Sequence, residues 1–363
     1  MMAIRSTRTG GILVLLGAAM ACSCARTAIP VAGPQNDGRA AADTGVFRVA
    51  VISDLNSAYG STTYGPEVGR AVALLREEWR PHVVLAAGDL IAGQRPSLTD
   101  DNVRAMWTAF DSVVAAPLRE AGIPFGFTLG NHDASPYPDH RRDRSFAIEH
   151  WRRIGTDAGL RYIDDLHFPL YYSFRAGPVF VAVWDAAWEG TASDTAVIHW
   201  LRQQLADERA RGAAFRIVLG HLPLFSVAEG RDRPGEVLAD TEKLLALLRE
   251  LDVDMYISGH HHAYYPARHG GLELLHAGAV GDGSRPLLGR SEPSPRTVTL
   301  LDFHGAGGGF TLTTFALDGE SPLRHVSTES LPPSLTGIRG TIHRRDLDAA
   351  PAGPVRDRPA PLH

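Results

Sequence analysis

Short apolar runs alternate with helically spaced patterns along most of this chain. The runs at 46–52, 83–87, 124–129, 215–219 and 253–257 are rich in Val, Ile and Phe and read as buried strands. Between them, residues 67–79, 101–121, 144–158, 194–211 and 240–250 read as helices. In the last of these, Leu244, Leu245, Leu247, Leu248 and Leu251 share one face, which predicts core packing. Residues 171–185 and 297–316 turn at Ala176-Gly177-Pro178 and near 305–309, and read as antiparallel hairpins. Strand–helix–strand units with added hairpins predict a layered α/β fold.

Composition sets limits on this picture. Of 363 residues, 44% are hydrophobic and 21% charged, as in an ordinary globular protein, and the net charge is −5. An acidic balance lacks the basic face that gripping nucleic acid requires, so no nucleic-acid partner is expected. The two cysteines are Cys22 and Cys24, which excludes a disulfide scaffold or a thiolate cluster in the body of the chain. Residues 1–21 read as an export signal, because Arg5 and Arg8 precede an apolar run at 12–21 that is too short to span a bilayer. Ala19 and Ala21 before Cys22 resemble a bacterial lipoprotein cleavage site with Cys22 lipidated; an ordinary cleaved signal is the alternative. The expectation is a protein of the bacterial cell envelope, lipid-anchored or periplasmic or extracellular, with no other membrane contact. Residues 22–44 read as a flexible tether and 45–326 as the one folded domain. Residues 327–363, with six prolines and no aromatic residue, read as a disordered tail.

The chemistry lies where the expected strands end. The first is followed by Ser53-Asp54-Leu55-Asn56, the second by Gly88-Asp89 and the third by Gly130-Asn131-His132-Asp133. The fourth is followed by Gly220-His221 and the fifth by Ser258-Gly259-His260-His261-His262. In open α/β sheets these carboxyl ends line the ligand crevice. Asp54, Asp89, Asn131, His221, His260 and His262 offer oxygen and nitrogen donors that suit two ions of the Zn, Mn or Fe kind. Alternation in extended chain sends His260 and His262 to one side.

Taken in order, these blocks resemble the calcineurin-like metallophosphoesterase superfamily, directly over residues 54–262. The resemblance implies a four-layer α-β-β-α sandwich with the site at the sheet edge. It implies metal-dependent hydrolysis of a small phosphoric ester, monoester or diester, at a dinuclear centre of Mn, Fe or Zn with water as nucleophile. It assigns Asp54 and His262 to one ion, Asn131, His221 and His260 to the other, and Asp89 to both. His132 then stands beside the leaving group as general acid or phosphate contact, Asp133 orients the His132 ring, and His261 points away. One position departs from the pattern: the first block ends in Asn56, where the family has His. Purple acid phosphatases replace that His by a Tyr three residues beyond the bridging Asp, but Ala92 stands there in this chain. Three options follow: Asn56 ligates through its oxygen, Tyr59 or Tyr64 supplies a phenolate, or Asn56 touches substrate or water. A binding protein that kept the fold without catalysis, and a metal hydrolase of a non-phosphate ester, are the alternative readings. Asp185, His276, Arg231, Arg233 and Arg285 each fit either a place at the site or a purely structural or solvated one.

Overall fold

The computed structural model describes residues 45–154, 158–188, 190, 194–305, 309–319 and 323–347. The export signal, Cys22, the tether and residues 348–363 lie outside the described residues.

In chain order the elements begin with β1 (Val46–Ile52), α1 (Pro66–Leu74), β2 (Val83–Ala86), α2 (Asp100–Phe110), α3 (Ala116–Glu120) and β3 (Phe125–Phe127). There follow α4 (Asn131–Ala134), α5 (Arg141–Ile154), β4 (Arg161–His167), β5 (Tyr171–Ala176), β6 (Val179–Val183), α6 (Thr195–Ala206) and α7 (Glu208–Arg211). Next come β7 (Phe215–Leu219), α8 (Thr241–Glu250), β8 (Met255–Ser258), β9 (Tyr265–His269) and β10 (Leu272–His276). The last are β11 (Thr297–His304), β12 (Phe310–Ala316), β13 (Arg324–His325), β14 (Ser334–Gly337) and β15 (Gly340–Arg344).

The strands form two sheets, ordered β13-β12-β11-β1-β2-β3 and β14-β15-β9-β10-β8-β7-β6-β5-β4. Strands β1, β2 and β3 run parallel in the first, and β6, β7, β8 and β10 in the second. Because side chains alternate along a strand, each central strand feeds two cores. Val49 and Val51 of β1 meet Ile217, Leu219, Met255 and Ile257 between the sheets. Ala50 and Ile52 face the other way, towards Val68, Trp107 and Phe110 on the helices. On the far side, Phe180, Val218 and Tyr256 pack against Leu201, Leu245 and Leu248 of α6 and α8. The result is the expected four-layer α-β-β-α sandwich.

Three helices expected as single runs are broken; the run at 194–211 divides into α6 and α7 at Asp207, whose backbone is extended. After α1 the chain widens into a π-helical turn at Leu75–Trp79, and another at Asp111–Ala115 separates α2 from α3. The second has a clear cause: Pro117 lacks an N–H and crowds the carbonyl four residues earlier, and the wider turn just before it absorbs the misfit.

The expected disordered tail needs correction. Residues 334–344 form the β14–β15 hairpin, and β15 joins the second sheet by pairing His343 with Arg268 and Arg344 with Ala267 of β9. Leu335 and Ile342 are buried in the core beside α8. Composition averaged over the whole tail hid this hairpin, because Pro332 and Pro333 precede its strands and leave the pairing residues intact. If the hairpin is integral to the domain, Ile342→Ala should lower stability by about 2–5 kcal/mol in urea unfolding. An unchanged midpoint and slope would show that the hairpin contributes nothing to the fold.

Candidate metal centre

The first sheet brings Asp54, Asp89 and Asn131 to its edge from the ends of β1, β2 and β3, and the second brings His221, His260 and His262 from the ends of β7 and β8. Asp54 is 0% and Asp89 1% exposed. Two ligand groups result: Asp89, His221 and His260, and Asp54, Asp89 and His262, each with ligand atoms within 4.8 Å of one another. Asp89 is common to both, as the bridging assignment requires.

The backbone aims these groups at a local cost. Asp54, Asp89, His260 and His262 all have left-handed φ, between 50° and 67°. Such a conformation costs a non-glycine residue roughly 1–3 kcal/mol and persists only where the surroundings enforce it. Here Asp54 N bonds to Gly88 O, Leu55 N to Asp89 O and Gly281 N to Asp54 O at 2.8–2.9 Å. Two glycines clear the space: a Cβ on Gly130 would collide with Asp89 Oδ1, and one on Gly259 with Ser53 Oγ and Asp54 Oδ2.

Each imidazole is tethered through one nitrogen. His221 Nδ1–H donates to Ala87 O at 2.7 Å and His262 Nδ1–H to Asp282 O at 3.0 Å. Carbonyls only accept, so in the neutral form of both rings the lone pair lies on Nε2. Those lone pairs face acceptors: His221 Nε2 lies 3.0 Å from Asn131 Oδ1 and 3.3 Å from Asp89 Oδ2, and His262 Nε2 lies 3.3 Å from Asp54 Oδ1. His260 is turned over. Its Nε2–H donates to Glu236 Oε2 at 2.9 Å, which leaves Nδ1 with the free lone pair in the neutral ring. Converging lone pairs of this kind call for a positive charge between them, so the donor set fits divalent cations. Asn56 adds to the fit: it is 6% exposed, and its Oδ1 is buried without a hydrogen-bond partner among the described residues.

The electrostatics point the same way. Burial opposes ionisation of Asp89, but His221, His132 and His260 outweigh it and hold the carboxyl well below the usual carboxylate range. The same contest, with His262 as the main opposing group, lowers Asp54. Burial also disfavours a charged His221, yet Asp89 pushes its pKa up to about 9. Burial draws His260 down to about 4 despite Glu236, which keeps it neutral and ready to ligate.

His132, at the start of α4, donates its N–H to Asp89 Oδ1 at 2.9 Å, and its ring Nε2 stands 3.9 Å from Asp89 Oδ2. The role expected for Asp133 is not what the structure has. Its Oδ1 accepts from Leu90 N and Ile91 N at 2.8 and 2.9 Å, its Oδ2 accepts from Gly130 N at 2.8 Å, and neither oxygen bonds His132. Successive helical residues point about 100° apart, so neighbours in sequence at 132 and 133 diverge. The His132 ring is held by Gly93 O, 3.2 Å from Nδ1. Asp133 fixes the loop that carries Asp89; burial and then Asp89 push it up to about 8, against the pull of its N–H donors.

The remaining candidates separate cleanly. Tyr64 is no phenolate: its O–H donates to Leu90 O at 2.8 Å, and burial raises its pKa above the ordinary value. Tyr59 lies over the His132 ring, centroids 5.1 Å apart. His261 is structural, accepting from Val227 N and donating to Glu236 O. His276 is buried and donates to Tyr265 O at 3.1 Å. Asp185 pairs with Arg144, which also donates to Ala134 O at 3.0 Å, so it ties β6 to the segment behind His132. Sequence reasoning missed Ser53, Gln94 and Glu236. Ser53 Oγ donates to Asp54 Oδ2 at 2.7 Å, and Gln94 Oε1 accepts from Asn131 Nδ2 at 2.6 Å, which turns the Asn131 oxygen towards His221. Adjacency to a ligand could have flagged Ser53; Gln94 and Glu236 lie on loops with no local signal.

The chain is similar to serine/threonine-protein phosphatase CPPED1 from Bos taurus, 24% identical over 214 residues that cover 56% of this chain and 60% of the relative. The CPPED1 of Pongo abelii is 25% identical over 234 residues, 61% of this chain and 65% of the relative. The chain thus spans less than two thirds of the length of either. In fold it is similar to the purple acid phosphatase PPD1 of yellow lupin (Lupinus luteus) seeds, with a TM-score of 0.54 and 16% identity over 76% of this chain and 52% of that one. The family model for calcineurin-like phosphoesterases matches residues 47–264, a span that runs from β1 past His262 and holds every candidate ligand. The chain belongs to the calcineurin-like phosphoesterase family.

Proposed function

We propose that this protein is a hydrolase of small phosphoric esters with a dinuclear metal centre of Mn, Fe or Zn. Asp54, Asn56, Asp89 and His262 would hold one ion, and Asp89, Asn131, His221 and His260 the other. The observation that carries this reading is the pair of ligand clusters with Asp89 in common. When bound, two such ions neutralise phosphate oxygens and lower the pKa of a coordinated water. The chain's own groups do the positioning. Asp89 holds the His132 backbone through its Oδ1, and Gly93 O fixes the ring so that Nε2 faces the ligand cluster. From there Nε2 holds and releases the proton that a departing alkoxide needs. The phosphatase name of the CPPED1 relatives supports a phosphomonoester as substrate over the part of them that the chain spans. Arg5, Arg8 and the apolar run at 12–21 support an exported enzyme.

The decisive experiment loads the full chain with Mn, Zn or Fe and assays generic phosphomonoester and phosphodiester substrates side by side. Asp89→Asn should lose metal, by elemental analysis, and its turnover should fall to background. Full activity in the purified variant would end the dinuclear reading.

His132→Ala should keep its metal while kcat falls about 10²–10⁴-fold, most for esters with poorly acidic leaving groups. A loss equal for all leaving groups would remove His132 from proton transfer.

Asn56→Leu removes the orphaned buried oxygen. The metal-free protein should gain stability, up to about 1–3 kcal/mol, while metal affinity falls. Unchanged titration with metal would exclude Asn56 as a ligand.

A further inference from the structure

Two loops run side by side next to His260 and His262. One is 225–236, between β7 and α8, and the other is 281–290, after β10. They are joined by Leu288 N to Val227 O and Glu229 N to Pro286 O, both 2.9 Å, and by an antiparallel bridge between Ala228 and Leu287. The second loop is also fastened to the site. Asp282 N bonds to Asn56 O at 3.0 Å and Arg285 N to His262 O at 3.2 Å. This pairing brings Arg285 against the backbone beside Arg231: a Cβ on Gly230 would stand 3.7 Å from Arg285 Nη1.

Acidic and basic residues are equal in number in the two loops, but Glu229, Asp232 and Asp282 accept from Gly289 N, Ile338 N and Arg296 instead of from Arg285. Arg231 and Arg233 both pair with Glu236, whose Oε2 also takes the proton of His260 Nε2. Arg285 is only partly exposed, and among the described residues its guanidinium has neither hydrogen bond nor ion pair. Its Nε is buried without a partner, as are Arg231 Nε and the hydroxyl of Ser284. Burial, and then the charge of Arg231, pull the Arg285 guanidinium below its ordinary pKa. A packing role would not call for a charged group beside a like charge, and buried donors without acceptors demand an explanation. Guanidinium groups with donors to spare are what phosphoryl and carboxylate recognition uses.

We propose that Arg285, with Arg231 beside it, forms a second anion-binding subsite next to the metal-ligand cluster. The subsite takes a phosphoryl or carboxylate group that the substrate carries in addition to its scissile phosphate. The preferred substrates are therefore small, multiply anionic phosphate esters. This rests on the hydrolase reading above for the word substrate, but its test does not need turnover.

Binding of three probes to the Mn-loaded full chain is measured by calorimetry: propylphosphonate, phosphonobutyrate and propanediphosphonate. The wild type should bind at least one dianionic probe about tenfold or more tighter than propylphosphonate. Arg285→Ala should bring that ratio close to one and Arg285→Lys should retain part of it. The dianion that loses more identifies the second group. Arg285→Ala should also melt no lower than the wild type, because it relieves repulsion with Arg231. A ratio unchanged in Arg285→Ala, an equal loss for all three probes, or a lowered melting temperature would each overturn the subsite. Absence of hydrolysis with the Arg285-dependent ratio intact would instead count against the hydrolase reading alone.

Discussion

Two buried carboxylates and three imidazole lone pairs face one another where the two sheets meet, and much of the surrounding structure exists to keep them there. Asp54 and Asp89 are 0% and 1% exposed, and neither could stay ionised in an apolar setting without positive charge close by. Protons on the histidines satisfy this in part, as the raised pKa values of His221 and His262 show. Divalent ions satisfy it better, because they bind several acceptors at once. The left-handed backbone at Asp54, Asp89, His260 and His262 is the local expense of that arrangement.

The sandwich supplies the rigidity to bear it. Three of the ligand-bearing turns belong to one sheet and two to the other, so the distance between candidate ligands of the two sheets is set by the apolar layer between them. Val49, Val51, Leu85, Leu219 and Ile257 fill that layer, each within a strand that ends two or three residues before a candidate ligand. A core of this kind is close-packed and resists small displacements, which keeps ligand atoms from the two sheets in register. The same strands turn their alternate residues to the helices, so a single period-two pattern builds all the layers.

That pattern is why so much was legible in the chain. Continuous apolar runs announced the central strands, and a polar residue after each announced the crevice. What escaped reading depended on pairings distant in sequence. Strand β15 lies beside β9, which pairs His343 with Arg268 and Arg344 with Ala267, and only Leu335 and Ile342 hint at it within a proline-rich stretch. The place of Asp133 was misread because proximity in sequence to His132 says nothing about direction once the chain turns helical. Gln94 and Glu236 were invisible because a hydrogen bond to a ligand's far side needs only reach, and a loop residue of any spacing can provide it.

Glu236 shows how the outer parts of the molecule bear on the inner ones. Its carboxylate receives His260 Nε2–H and two arginines, while its backbone carbonyl receives His261 Nε2–H. The adjacent imidazoles are thus held by one residue in different ways, one through a charge and one through a dipole. Without Arg231 and Arg233, a buried Glu236 would be more basic and would draw the proton of His260 towards itself. With them, its charge is shared and it acts as an acceptor that fixes the tautomer. The loop that carries these arginines is thereby tied to the geometry of a candidate metal ligand, and the proposed anion at the rim would act on the same hydrogen-bond chain that orients His260.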